Sequence, residues 1–224
     1  MVEDNLLKIR ENIRRACEKS GRNENDVTVM AVTKTVAPEK INRAVELGIT
    51  VLGENRVQEF LSKYELVDKR AKWHIIGRLQ KNKVKYIADK VEMIHSVDSV
   101  ALAEEIDRQC KKHGRLMKVL VEVNVSGEES KGGIKAAYAA DFVEKISKFE
   151  NITVCGLMTM APLGANDELL HQIFSNLYKI SVDISAKKLD NVTMDCLSMG
   201  MSGDYVIAVE EGATIVRIGH ALFQ

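Results

Sequence analysis

Lys34 ends an apolar row in the first extended segment of the chain, Val27–Thr33. Side chains on a strand alternate between faces, so Thr28, Met30, Val32 and Lys34 share one side. If that side is an interior, the ammonium loses water, and desolvation favours the neutral amine. A neutral amine attacks an aldehyde and forms a Schiff base. A strand-end lysine reaching solvent fits the spacing as well.

Arg217 poses the same question at the other end of the chain. In Thr214–Gly219, Ile215, Arg217 and Gly219 share a face, and Val216 and Ile218 share the other. An inward arginine is a permanent charge that needs a partner, either a ligand atom or an internal carboxylate. Two nearby segments, Leu197–Asp204 and Ile218–Ala221, carry Gly200, Gly203 and Gly219, which permit close backbone approach. Ser202 is placed to cap the helix that follows, whose free N–H groups favour an anion. Ser198 could donate its hydroxyl to a phosphate. Ordinary turn glycines and a plain helix cap are the alternative.

These residues need a scaffold, and the periodicity supplies one. Short apolar runs alternate with longer amphipathic ones. Strands are expected at Val27–Thr33, Thr50–Leu52, Trp73–Ile76, Val91–His95, Met117–Val125, Ile152–Met158, Thr193–Leu197 and Thr214–Ile218. Helices are expected between them, including 80–89 and 202–211. An extra amphipathic helix with Leu6, Ile9, Ile13 and Cys17 in register comes first, and no helix is expected after the last strand. Such strands imply a parallel sheet covered by helices. Eight units in 224 residues fit a single (β/α)8 TIM barrel spanning 1–224, with an open doubly wound sheet as the alternative. Active sites of such barrels lie at the C-terminal strand ends. That adds Glu54, Asn55, His74, His95, Ser96, Asn124, Ser126, Thr159 and His220 to the groups expected at one mouth. His74 is taken as a candidate cofactor contact, though histidines there also serve as structural hydrogen-bonding groups. The loop Ser126–Gly133, with Glu128, Glu129 and Lys131, is either a lid or a solvated segment.

Composition narrows the classes. Apolar residues make up 46% and charged residues 29%, as in a globular chain. Lys plus Arg (32) balances Asp plus Glu (32), which gives no electrostatic case for nucleic acid or an anionic membrane. Lys81, Lys83 and Lys85 read as a solvated face. Cys17, Cys110, Cys155 and Cys196 are too scattered for a structural zinc site. The charged, amphipathic start is unlike a signal peptide, and a reduced, cytoplasmic protein is expected.

Several blocks, in order along nearly the whole chain, carry a resemblance: Ala31–Thr35 (AVTKT), Gly53–Glu59 (GENRVQE), Trp73–Lys83, His95–Ser99, Val123–Gly133, Gly156–Met160 (GLMTM), Leu197–Asp204 (LSMGMSGD) and Val216–Gly219 (VRIG). Together they resemble the pyridoxal 5′-phosphate (PLP) homeostasis protein family. The resemblance implies the barrel of the alanine racemase N-terminal type, with PLP as cofactor. It makes Lys34 the Schiff-base lysine and places Arg217 opposite the pyridine nitrogen and Asn55 beside the ring. It makes Ser198, Gly219 and His220 phosphate contacts. The family usually has threonine where His220 stands and serine where Thr33 stands, and the end HALFQ departs slightly from its usual close.

The implied role is PLP storage and delivery inside the cell, with apo PLP-dependent enzymes as recipients and no substantial catalysis. An arginine at the ring nitrogen disfavours its protonation and weakens the electron sink. The chain ends six residues after the last strand, so the C-terminal domain that dimerises racemases is expected to be missing, and a monomer is expected. The rival reading is a PLP-dependent amino-acid racemase using His74 or Cys155 as second base. A barrel binding a different phosphate ester is the other rival.

Overall fold

The computed structural model describes residues 1–128 and 131–224. The chain opens with α1 (Val2–Ser20), stopped by Gly21 in the left-handed conformation (φ 69°). Then follow β1 (Thr28–Val32), α2 (Pro38–Glu46), β2 (Val51–Glu54), α3 (Val57–Lys63), β3 (Lys72–Ile75), β4 (Met93–Val97), α4 (Val100–Lys112) and β5 (Met117–Asn124). The second half adds β6 (Ile134–Lys135), α5 (Ala139–Ile146), β7 (Ile152–Met158), α6 (Asp167–Ala186), β8 (Val192–Met201), α7 (Tyr205–Glu210), β9 (Ile215–Ile218) and α8 (His220–Phe223).

The strands are parallel, in the order β4-β3-β2-β1-β9-β8-β7-β5, and β4 pairs with β5 to close the ring. This is the expected eight-stranded barrel, and the closure rules out the open sheet. The outward residues Ala31, Leu52, Ile75, Ile94, Leu157 and Val216 merge with helix residues such as Ile41, Phe60, Ile106 and Phe174 into one cluster. Each such large side chain, fully buried, contributes about 1.5–3 kcal/mol. Met93, Leu120, Cys155 and Met158 form a separate cluster on the inward face.

The expected boundaries hold to within a few residues except in four places. Residues 80–89 form no α-helix but 3-10 turns over Lys81–Tyr86. Like charges at Lys81 and Lys85 would stack one turn apart on a helix, which disfavours it. The strand expected at Thr193–Leu197 runs on to Met201, which shortens the following helix to Tyr205–Glu210. A two-residue strand, β6, pairs with β5 at Val123 and Asn124 and is too short to leave a periodic signal. The last strand is followed by a helix after all, the single turn α8. It is tied down by α1, where the Asn5 amide donates to the carbonyls of Leu222 (3.1 Å) and Gln224 (3.0 Å).

Candidate functional site

The C-terminal ends of β1 and β9 lie side by side, with Met30 opposite Arg217 and Ala31 opposite Ile218. Val216 and Ile218 pack outward in the helix-covered cluster, so Arg217 faces in, as expected, and is only 4% exposed. Its Nη1 donates to the Ser198 hydroxyl and its Nη2 to the Thr159 carbonyl, both at 2.8 Å. Burial pulls the guanidinium down to about 10, against the pull of Asp204 and Glu122, so it remains a cation at neutral pH. The needed partner is therefore partly internal: a hydroxyl and a carbonyl, with carboxylates further off.

The hydrogen bonds continue inward from Arg217. Ser198 Oγ lies 2.9 Å from His95 Nδ1, and His95 Nε2 lies 2.9 Å from His74 Nδ1. A guanidinium only donates, so Ser198 accepts from it and has one proton left to give to His95. With that proton turned to His95 Nδ1, His95 carries its own proton on Nε2 and donates to His74, whose proton is then on Nε2. This is the order in which each ring nitrogen between Ser198 and His74 is met by one proton. Both rings must be neutral for this order. Burial depresses His74 to about 3, assisted by Lys118 and Lys72. Burial also holds His95 well below its usual value, reinforced by His74 and Arg217.

Two expected roles change as a result. Ser198 is fully buried with its hydroxyl committed on both sides, so it orients Arg217 and is not free for a phosphate. His74, 7% exposed, is an interior link of the chain and not a contact at the rim. Both follow from strand alternation, which turns these residues toward the packed interior.

Lys34 differs from expectation as well. β1 ends at Val32, and Thr33–Val36 is a tight turn closed by the Val36 N–H to the Thr33 carbonyl (3.0 Å). Lys34 lies in this turn, past the last strand residue, and is exposed where burial at the end of an inward row was expected. Asn55 is half-buried just past β2, and the Arg56–Gln58 stretch after it borders a groove with Arg78, Gln80 and Lys83.

On the β8–β9 side, Gly200 has φ +87°, and a Cβ there would lie 2.5 Å from Ala208 Cβ and 2.9 Å from Tyr205 Cα. This glycine serves the packing of α7, not the approach of a ligand. Ser202 does not cap α7, whose first-turn cap is Asp204 without a side-chain bond. Its hydroxyl accepts instead from the Ala221 N–H at 3.2 Å. That bond joins the β8–α7 loop to the turn Gly219–Ala221, with His220 exposed on it. Ser202, Gly219 and His220 are thus brought together, while Ser198 and Gly200 serve the scaffold.

Glu122 was not anticipated. It is 7% exposed on the inward face of β5, and burial, with Asp98 nearby, raises its carboxyl while Arg217 and Arg78 oppose. Its signal in the sequence was a lone acid inside an apolar strand. In the loop Ser126–Gly133, the Lys131 ammonium donates to the Ala161 carbonyl at 3.0 Å, whereas Glu129 lies outside the described residues. Lys83 and Lys85 stand over the Tyr86 ring, at 5.9 and 4.9 Å, as on a solvated surface. Among the described residues no cluster of His, Cys, Asp or Glu could hold a metal, and no helix is long and apolar enough to cross a membrane.

The pattern of the alanine racemase N-terminal domain matches residues 5–224. A pyridoxal phosphate homeostasis protein of Aquifex aeolicus is 46% identical over 221 residues, covering 98% of this chain and 96% of the relative. The chain belongs to the pyridoxal phosphate homeostasis protein family. Its relative of that name in Escherichia coli K12 is 32% identical over 226 residues, covering 99% and 95%. The solved structure of the family member PipY from Synechococcus elongatus, with PLP bound, superposes with a TM-score of 0.88 at 31% identity over the full length of both chains. An alanine racemase of Clostridium difficile shares the fold at TM-score 0.77 and 17% identity, with this chain spanning 56% of it.

Proposed function

We propose that this protein binds PLP at the mouth between β1 and β9 and keeps it available for other proteins, as storage and delivery, without substantial catalysis. The reading rests on one arrangement: an exposed lysine, Lys34, in the turn just past β1, and a buried, hydrogen-bonded arginine, Arg217, on the neighbouring strand β9. PLP, when bound, supplies an aldehyde for a primary amine and a ring able to draw electrons. Lys34 would hold the aldehyde as a Schiff base, and its exposure keeps that bond open to exchange with outside amines. Arg217, locked by Ser198 and Thr159, would face the pyridine nitrogen and disfavour its protonation. Ser202 with the Gly219–His220 backbone would hold the phosphate, and Asn55 would lie beside the ring. The PLP-bound relative and the family name support this.

The racemase alternative has less to support it. Its candidate second bases are both buried: His74 is driven to about 3, and Cys155 sits in the inner apolar cluster with burial pushing its thiol up. Recipient enzymes, a monomeric state and a cytoplasmic location remain part of the proposal. The deciding experiment saturates the pure protein with PLP, follows the visible absorbance band, and traps the adduct with borohydride. The trapped label should map to Lys34 and vanish in Lys34→Ala. Sustained racemisation of single-enantiomer amino acids would overturn the non-catalytic part.

A further inference from the structure

We propose that Glu54, Glu59 and Lys63 are positioning residues, which grip the backbone on both sides of Lys34 and present its amine to an aldehyde at the mouth. The inference rests on the reading of Lys34 given above. The Lys63 ammonium, on α3 and 8% exposed, donates to Glu54 Oε1 at 2.6 Å and to the Thr33 carbonyl at 2.8 Å. Glu54 is fully buried, and its Oε1 also accepts from the Thr33 hydroxyl at 2.8 Å. Glu59, one helical turn before Lys63, accepts from the Thr35 N–H through Oε2 at 3.3 Å. The residue before Lys34 and the residue after it are therefore both tied to α3.

Stability is a weak account of this cluster. Glu54 Oε2 is buried without a hydrogen-bond partner among the described residues, and a buried ion pair with an unmet oxygen gains little over apolar side chains of the same size. Thr35 is strained as well. It is β-branched and sits at φ 60°, in the left-handed region. Such strain persists only where the surroundings over-determine the backbone, and it marks sites where geometry matters. The Lys34 side chain is in solvent, so its direction has to be set through the turn that carries it. In the capture step the Lys34 nitrogen forms a C=N bond to the aldehyde carbon, and the carbonyl oxygen leaves as water. The rate depends on where the amine points.

The test measures how fast borohydride-trappable label accumulates on Lys34, using two probes, PLP and phosphate-free pyridoxal. Glu54→Met with Lys63→Met replaces the ion pair by apolar chains of similar length. It should match or exceed the parent in Tm, yet trap both probes about tenfold or more slowly, since a displacement of roughly 1 Å is enough for such a loss. Glu59→Leu should also slow trapping, and Glu59→Gln, which keeps an acceptor for the Thr35 N–H, should recover most of the rate. If the double variant does not fold, Thr35→Gly carries the test, because it relaxes the turn and should slow trapping without lowering Tm. Parent-like rates in the folded variants, or a loss that tracks Tm alone, overturn the proposal. Label that persists in Lys34→Ala defeats the lysine reading itself, and that outcome needs none of these variants to be seen.

Discussion

His95 Nδ1 stands 2.9 Å from the Ser198 hydroxyl, and this contact carries the proton order set by Arg217 into the barrel. Arg217 donates a hydrogen bond to Ser198, and with the Ser198 proton turned to His95 Nδ1, His95 Nε2–H donates to His74. The arginine is thus anchored by a serine that cannot turn away without leaving an imidazole nitrogen unmet.

Ser198→Ala should expose that dependence. It leaves one Arg217 N–H and the His95 Nδ1 buried without partners, at a cost of about 1–3 kcal/mol. Urea unfolding should show the loss. Nitrogen NMR of the parent should find both histidines neutral with the proton on Nε2. A proton on Nδ1 of either ring would break the derived chain.

Lys34→Ala should behave oppositely. The side chain is exposed and its ammonium makes no hydrogen bond or ion pair among the described residues, so stability should stay within about 0.5 kcal/mol of the parent. Binding should suffer instead: reduction with borohydride in the presence of PLP should leave no label on the turn peptide. A large drop in Tm with binding intact would assign Lys34 to the scaffold.

Gly200→Ala separates packing from ligand approach. The added methyl meets Ala208 and Tyr205 at less than normal contact distance, on a backbone with φ +87°. Strain and overpacking together should cost at least about 1–3 kcal/mol in the ligand-free protein. If the ligand-free protein is unaffected and only PLP affinity falls, Gly200 belongs to the mouth after all.

The sequence exposed the barrel well because its signals are local. A short, valine-rich run such as Met117–Val125, too brief for a helix of ordinary length, reads as a strand of a covered parallel sheet. Alternation put Arg217 on the face opposite Val216 and Ile218 but left open which face is the interior. It failed for Lys34 because the strand ends two residues earlier, at Val32, and a turn is not governed by the two-residue period. It could place Ser198 and His74 at strand ends, but their committed hydrogen bonds depend on strands distant in the chain. Glu59 and Lys63 look like any helical i,i+4 pair, and only the fold brings them to the turn around Lys34.

The neutral histidines make stability depend on pH in a defined direction. An unfolded histidine titrates near about 6.5, whereas burial holds His74 at about 3 and His95 well below its usual value. Between those values the unfolded chain binds protons that the folded chain refuses. Their contribution is therefore complete above pH ~6.5 and is lost as pH falls below it, by about 1.4 kcal/mol per pH unit for each ring, for His74 down to about 3. Glu122 and Asp204 act in the opposite sense, because burial raises them and the folded chain keeps their protons where the unfolded chain has released them. They offset part of the loss at the acid end of the window. Urea midpoints taken from about pH 7 down to about pH 5 should fall in the parent. The slope should be shallower in His74→Gln, which cannot be protonated in that range. A parent midpoint that is flat over this interval would mean that the rings already take up protons in the folded barrel, and the hydrogen-bond order from Arg217 to His74 would then be wrong.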